Sequence, residues 1–380
     1  MQSCALILKN EFTEQLHMMQ SAKEIVLYGK TVLTSIMETA LDELGVELPR
    51  RVFERGRFID EGTSVFSDPK VVFLCGMRAE TREGMKRDAS CFFSNASCFD
   101  VFAVYFEWLT KYINRNCNQE ELAQTILDVR NENTIHNIDS INTSYCNLNC
   151  KECSNGMQYR KDKKVIPVDY HILAIKRLTD VLPVSYCNIQ GGEPLLDSCL
   201  TERLLLHAKN AKIAFITLAT NGTILPSDEV FQAIRDSGIM IRISDYGKLS
   251  IKKEMLIQKA KEFLIPCDIY TRSLSWVSYG DFKAHGRTEE MNSNIASNCH
   301  FGTKDLMLYD GKLYCCCRTL FANAIGIENE AVLKNVLDVM GIFNRHDLEG
   351  IIFGRKLNRM CDYCDYPMKT IGVAEQIARH

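Results

Sequence analysis

Charge of one sign is missing from this chain: 45 Lys and Arg stand against 48 Asp and Glu, for a net charge of −3. That balance gives no electrostatic ground for a nucleic-acid or membrane partner, and neither is expected. Long apolar runs are missing as well. The most apolar long window, Cys98 to Leu109, is too short to span a bilayer and carries Asp100 and Glu107. The first fourteen residues have no basic flank and only a five-residue apolar stretch, so no signal peptide is expected and the expected location is cytoplasmic. The eight histidines form no HxxxH or HExxH pair, and neither GxSxG nor a Walker sequence occurs. With 46% apolar and 24% charged residues, the composition excludes disordered and collagen-like chains. A length of 380 residues predicts two or three domains.

Cysteine is the one residue in excess. There are 17, an odd number in a chain expected to face reducing conditions, where a disulfide framework is disfavoured. Metal or cluster ligation is the better default.

Residues 1–135 read as a small α/β unit. Glu24 to Gly29 and Val71 to Gly76 are apolar runs closed by glycine, each followed by a helical pattern, Thr31 to Leu44 and Arg78 to Arg87. This suggests a degenerate Rossmann-like domain without the dinucleotide fingerprint, serving docking or dimerisation. Residues 136–284 alternate strands (138–143, 184–189, 213–218, 239–244, 267–270) with helices such as 170–182 and 254–263. Such alternation predicts parallel strands with crossover helices, as an open sheet or a partial barrel, with function at the strands' C-terminal ends. Residues 285–380 show no alternation and hold six cysteines.

The strongest chemical signal is Cys146-Asn-Leu-Asn-Cys150-Lys-Glu-Cys153, directly after the first strand of the alternating region. Three thiolates on one loop can converge on an inorganic centre and leave one metal position free for a small chelating ligand. Zinc sites more often pair two C-x2-C units. One strand further on stands Gln190-Gly191-Gly192-Glu193-Pro194, with two glycines for close backbone approach and a carboxylate to accept from an ammonium group. Thr220-Asn221-Gly222-Thr223 follows the next strand, and Ser244-Asp245 ends the one after.

Together these segments resemble the radical S-adenosylmethionine (SAM) superfamily. The resemblance implies an α/β fold, a partial (β/α)6 TIM-like barrel over 136–284. It implies that Cys146, Cys150 and Cys153 hold a 4Fe-4S cluster whose fourth iron is chelated by SAM. It implies further that Gly191, Gly192, Glu193, Asn221 and Ser244 contact SAM. One departure is Glu152, where many members carry an aromatic residue. The activity implied is reductive cleavage of SAM to a 5′-deoxyadenosyl radical that abstracts a hydrogen atom from substrate, fed by an electron donor such as flavodoxin or ferredoxin.

The C-terminal cysteines, Cys299, then Gly311, Cys315-Cys316-Cys317 and Cys361-Asp-Tyr-Cys364, resemble the SPASM or twitch extension. The expected ligands of a second, auxiliary 4Fe-4S cluster are Cys299, Cys316, Cys361 and Cys364. Cys315 and Cys317 are rivals for Cys316, since neighbours on a strand face opposite ways. A structural zinc site with the same four thiolates is the alternative. The remaining cysteines, 4, 75, 91, 98, 117, 187, 199 and 267, read as small buried apolar residues.

For substrate, the flow of these segments resembles radical SAM proteins encoded beside polysaccharide-assembly genes. A small polar, carbohydrate-type substrate is therefore expected, touched by Asp245, Tyr246, Lys248 and Arg318. The alternatives are maturation of a ribosomally made peptide and non-catalytic iron–sulfur or zinc binding.

Overall fold

The computed structural model describes residues 17–54, 57–58, 69–76, 79–101, 115–130, 133–270, 276–299, 305–327, 333–353 and 359–378. Cys4, most of the apolar window 98–109 and the predicted helix start at Arg78 lie outside them.

In chain order the first elements are β1 (Ile25–Tyr28), α1 (Val32–Glu43), β2 (Arg50–Glu54), β3 (Arg57–Phe58), β4 (Val71–Leu74), α2 (Ala79–Phe92), β5 (Ser97–Asp100) and α3 (Gln119–Arg130). The alternating region follows as β6 (Ile135–Thr143), α4 (Val168–Val181), β7 (Val184–Gly191), α5 (Leu200–Ala208), β8 (Ile213–Thr220), α6 (Asp228–Asp236), β9 (Met240–Ser244), α7 (Lys253–Glu262) and β10 (Cys267–Tyr270). The remainder comprises β11 (Trp276–Ser278), α8 (Glu289–Asn298), β12 (Asp305–Tyr309), β13 (Lys312–Tyr314), α9 (Cys317–Ala324), β14 (Val336–Asp338), α10 (Arg345–Phe353) and β15 (Lys369–Ile371).

The first sheet has the order β3-β2-β1-β4-β5, in which β2, β1, β4 and β5 run parallel and β3 is antiparallel. Its strands are short apolar runs, β1 and β4 being buried at every position. Gly29 ends β1 at φ +101, and a Cβ there would stand 2.7 Å from the Met85 methyl. The positive φ favours glycine there, while the methionine methyl could shift to admit a Cβ.

The second sheet has the order β10-β9-β8-β7-β6-β12-β13-β14. Every pair from β10 to β12 is parallel, and the last two are antiparallel. The C-terminal region, which showed no alternation in sequence, thus extends the same sheet instead of standing apart from it. β12 was hidden because its pairing partner, β6, lies far earlier in the chain. The parallel, helix-connected core is a mixed α/β fold of the predicted kind.

The two faces of this sheet differ. On one, Ile138, Cys187, Ile189, Ile216, Leu218, Ile241 and Ile243 pack under α4–α7, against Ile175, Leu178, Leu204, Phe231 and Leu256. Each such aliphatic side chain contributes roughly 1.5–3 kcal/mol by leaving water. The other face is polar. Tyr186 bonds Thr217 at 2.9 Å, Thr217 donates to Asn188 Oδ1 at 2.8 Å, and Asn188 donates to Asp139 at 3.0 Å. At the foot of that face, Phe215 and Met240 join one apolar cluster with Ile36, Met37, Ala40 and Leu122 of α1 and α3. Among the described residues no helix is long and apolar enough to cross a membrane.

Candidate functional site

β6 delivers the first cysteine loop. Its register against β7 slips between Ile141 and Thr143, an irregularity that re-aims the strand end, as bulges beside functional loops do. Ser144 N bonds Lys164 O at 2.9 Å, and the chain then turns outward through the exposed Tyr145 to Cys146.

The Gly191-Gly192-Glu193 turn lies directly against this loop. Gly192 N donates to Thr143 O at 2.8 Å and Glu193 N to Tyr145 O at 2.7 Å. A Cβ on Gly191 would fall 2.3 Å from Thr143 O, and one on Gly192 would fall 2.0 Å from Tyr145 O. Both glycines are therefore dictated by contact with the cysteine loop.

Glu193 is completely buried. Its Oε1 accepts from Thr220 Oγ1 at 2.8 Å and Leu195 N at 3.2 Å, and its Oε2 from Asn221 N at 2.8 Å. Burial pushes its carboxyl up to about 7, against the opposing pull of those donors. The carboxylate, expected to accept from a ligand's ammonium group, is here also the brace between the β7 and β8 turns. Asn221 completes the brace, donating to Asn147 Oδ1 at 3.0 Å and lying 3.9 Å from the Cys146 sulfur. Asn147 in turn donates to Thr223 at 2.7 Å. Ser250, which sequence reasoning missed, donates to Asn221 O at 2.8 Å and accepts from Tyr246 N at 2.9 Å, tying the β8 turn to the β9 turn.

The three thiols are mutually placed within electrostatic reach, and each sulfur faces N–H donors. Cys146 accepts from Leu148 N–H, Cys150 from the Gln376 side chain, and Cys153 from the N–H groups of Met157, Asn155 and Gly156. Burial dominates, raising Cys146 to about 12 and Cys150 to about 11, and raising Cys153 as well. Among the described residues no three His, Cys, Asp or Glu side chains are arranged to hold a metal ion. Thiols that share a loop and face N–H donors fit the sulfur ligation of an iron–sulfur cluster, which such bonds tune.

Of the predicted rim residues, only part faces the site. Ser244 bonds the Tyr246 side chain, and Tyr246 lies within electrostatic reach of all three loop thiols while meeting Trp276 edge-on at 5.4 Å. An aromatic ring from the β9 turn thus stands beside the loop, whose position 152 is Glu. Asp245 is taken by Lys253 at 2.9 Å, Lys248 is exposed, and Arg318 is buried, donating to Gly280 O and Tyr363 O.

Sequence reasoning missed the polar inner face of the sheet. Arg242 holds Asp268 at 3.2 Å, with the Tyr186 and Tyr270 rings 5.4 and 5.6 Å from the guanidinium carbon. Gln190, Ala219, Arg242, Ser244 and Tyr270 are half-buried there, above a fully covered floor. The readable signal was Arg242 between Ile241 and Ile243, a charge facing away from the apolar side of a strand.

The second cysteine set gathers near α8 and α9. Cys299, Cys316, Cys361 and Cys364 act on one another electrostatically, and Cys361 is raised chiefly by burial, while burial raises Cys364 to about 12. Cys315 is not turned away: its sulfur lies 3.9 Å from that of Cys316. The strand argument fails because β13 ends at Tyr314, and Cys316 caps α9, where the chain bends. Cys316 is lowered to about 6, first by Cys315 and then, against burial, by Thr319 and the α9 N–H groups. Cys317 packs instead with Met157, Tyr309 and Leu320. Arg287 clasps the 361–364 loop through the Cys361 and Cys364 carbonyls at 3.0 and 2.9 Å. Among the other cysteines Cys75 and Cys187 are buried as expected, whereas Cys91 and Cys199 are exposed.

Residues 140–244, from β6 to the end of β9, match the model of the Radical SAM superfamily. This stretch therefore carries a radical SAM domain, and it includes the first cysteine loop and both braced turns. No curated protein matches the chain. Solved structures similar to it include two with bound AdoMet. One is BtrN in complex with AdoMet and 2-DOIA, at 16% identity over 64% of this chain and 97% of that one, with a TM-score of 0.42. The other is histidine-tagged anSMEcpe with bound AdoMet, at 20% identity over 43% of this chain and 44% of that one, with a TM-score of 0.29.

Proposed function

We propose that the protein is a radical SAM enzyme acting on a small polar, carbohydrate-type substrate, with a second iron–sulfur cluster on its C-terminal cysteines. In this reading residues 1–135, 136–284 and 285–380 serve as docking unit, partial barrel and auxiliary-cluster extension. The setting is cytoplasmic, with a flavodoxin- or ferredoxin-type electron donor.

The observation that carries the reading is the packing of the Gly191-Gly192-Glu193 turn onto the cysteine loop, at a distance that only glycine tolerates. Cys146, Cys150 and Cys153 would hold a 4Fe-4S cluster, and the backbone of 191–193 with Asn221 and Ser244 would face AdoMet. When bound, that pair supplies one-electron reductive cleavage and hydrogen-atom abstraction. The protein's share is geometric. Glu193, Asn221 and Ser250 lock three strand ends together, and the inner face positions a substrate C–H and excludes water. Support for a small polar substrate comes from that face, where half-buried Gln190, Arg242 and Tyr270 offer hydrogen bonds and buried Asp268 holds Arg242.

The test is anaerobic reconstitution, reduction with dithionite and addition of AdoMet, with 5′-deoxyadenosine and iron counted. Formation of 5′-deoxyadenosine that is lost in Cys146→Ala, Cys150→Ala and Cys153→Ala is expected. Bound zinc without iron or product would instead mark a binding protein.

A further inference from the structure

The segment after β15 returns to the first cysteine loop and pairs with it. Lys151 N donates to Glu375 O at 2.8 Å and Ile377 N to Asn149 O at 2.9 Å, with an antiparallel bridge between Cys150 and Gln376. The Asn149 side chain donates to Ile377 O at 2.9 Å and Ala378 O at 3.0 Å, and Asn149 N to Gln376 Oε1 at 2.7 Å. Lys151 and Glu375 add an exposed ion pair at 3.7 Å. The other end of the Gln376 amide does something different: Nε2 donates to the Cys150 sulfur at 3.2 Å and to Ala374 O at 2.6 Å. Residue 376 is 226 positions from the thiol it touches.

This contact is the shorter of two that reach the loop thiols from remote side chains, 3.2 Å against 3.9 Å for the Asn221 amide on Cys146. Cys146 and Cys153 draw their backbone donors from N–H groups a few residues onward in the same loop, which form whenever the loop folds. Cys150 draws a donor from a remote side chain held by a short ladder. Such a side chain can be removed without altering the loop's own backbone.

We infer that residues 374–378 are a strap over the cluster loop and that Gln376 is a positioning residue which stabilises the reduced cluster through Cys150. The inference rests on the proposed assignment of a 4Fe-4S cluster to Cys146, Cys150 and Cys153. Adding an electron makes the ligating sulfurs more negative, so an N–H donor aimed at one of them favours the reduced state and raises the potential. The strap's ladder supplies the aim. Because Oε1 is occupied by Asn149 N–H, the amide cannot flip without losing that bond, and Nε2 stays on the sulfur.

The experiment is a dithionite-poised potentiometric titration of the full-length reconstituted protein. It is followed by the electron-paramagnetic signal that changes on adding AdoMet, for wild type, Gln376→Glu and Gln376→Leu. Gln376→Glu keeps an oxygen for Asn149 N–H and replaces the donor by a charged carboxylate oxygen, whereas Gln376→Leu removes both without adding charge. Both variants are expected to load the wild-type amount of iron. In both, reduction is expected to be about tenfold less favourable, a downward shift of about 59 mV for one electron.

An unshifted potential in either loaded variant overturns the inference. A shift in Gln376→Glu alone would be the effect of its new charge. Failure of Gln376→Glu to load iron overturns it too, since the amide would then serve ligation and not potential. Failure of Gln376→Leu to load overturns it likewise, since the side chain would then serve assembly of the loop. A wild-type protein that assembles no AdoMet-responsive cluster would defeat the cluster assignment itself, a result separable from all of these.

Discussion

Glu193 shows how one buried group can set a pH dependence. Its native value near 7 lies above its ordinary 4.5, so between those values the folded protein binds a proton that the unfolded chain has released. The group therefore costs least below about pH 4.5, and stability falls as pH rises toward and through 7. The whole effect is on the order of 2–3 kcal/mol. In Glu193→Gln this contribution to the slope should vanish. Melting temperatures of variant and wild type, taken at pH 5 and pH 8, should differ in their change between the two; parallel changes would reject the assignment. Gly192 makes a steric prediction at the same scale. Gly192→Ala puts a Cβ 2.0 Å from the Tyr145 carbonyl, a backbone atom that cannot swing aside. Loss of first-cluster iron together with a drop of about 3 kcal/mol or more in stability is expected. Full iron binding at the wild-type melting temperature would refute it. Of these residues, the glycines and Glu193 stood out in sequence because they adjoin one another. Ser250 and Gln376 did not, and Tyr246 was read only as a substrate contact, since each joins the site from another part of the chain.

At the scale of elements, β6, α5 and the turn before α5 are joined by a buried ion pair. Arg203 Nε donates to Asp197 Oδ2 at 2.7 Å with both side chains fully covered, and Asp197 also accepts from Asn142 Nδ2 at 2.8 Å. The Arg203 terminal nitrogen holds Ile166 O at 2.6 Å. Arg203→Met would leave Asp197 charged and buried, at a cost of about 3–5 kcal/mol, while replacing both partners by apolar residues should recover much of it. Thermal melts of the single and double variants check this, and equal losses in both would argue against the pair. The strand positions were legible because apolar runs of five to eight residues have few other homes in a helix-alternating chain. The polar face of the same strands was less so. A Thr, Asn or Arg inside a run reads as noise until its neighbours across the sheet are known. Cys315 and Cys316 show the complementary error: strand periodicity was extended past Tyr314 into a stretch where the chain had already begun to turn into α9.

For the molecule as a whole, the two cysteine sets are separately built. Cys361→Ala is expected to remove about four irons per chain and leave the AdoMet-responsive signal of the first set in place. Iron analysis and low-temperature spectroscopy would tell, and simultaneous loss of both signals would mean that the sets are not independent. The same sheet links them, since β12 lies beside β6 and leads through β13 to Cys315 and Cys316. The N-terminal unit is likewise no appendage: its α1 and α3 share an apolar cluster with Phe215 and Met240 beneath the polar face.

Sequence alone was enough to single out the candidate ligands. Cys146, Cys150 and Cys153 lie within one loop, and the Gly191-Gly192-Glu193 turn and Asn221 each follow a strand, so local spacing carries them. It also determined the alternating α/β core, because short apolar runs set between helical periods leave a local trace. Tertiary structure alone decided which distant groups complete the site. Parallel pairing brings β12 to β6 and the turns after β8 and β9 to the cysteine loop, and an antiparallel bridge brings Gln376 to Cys150. Such contacts depend on the direction and register of remote segments, and a single chain leaves no local pattern of them.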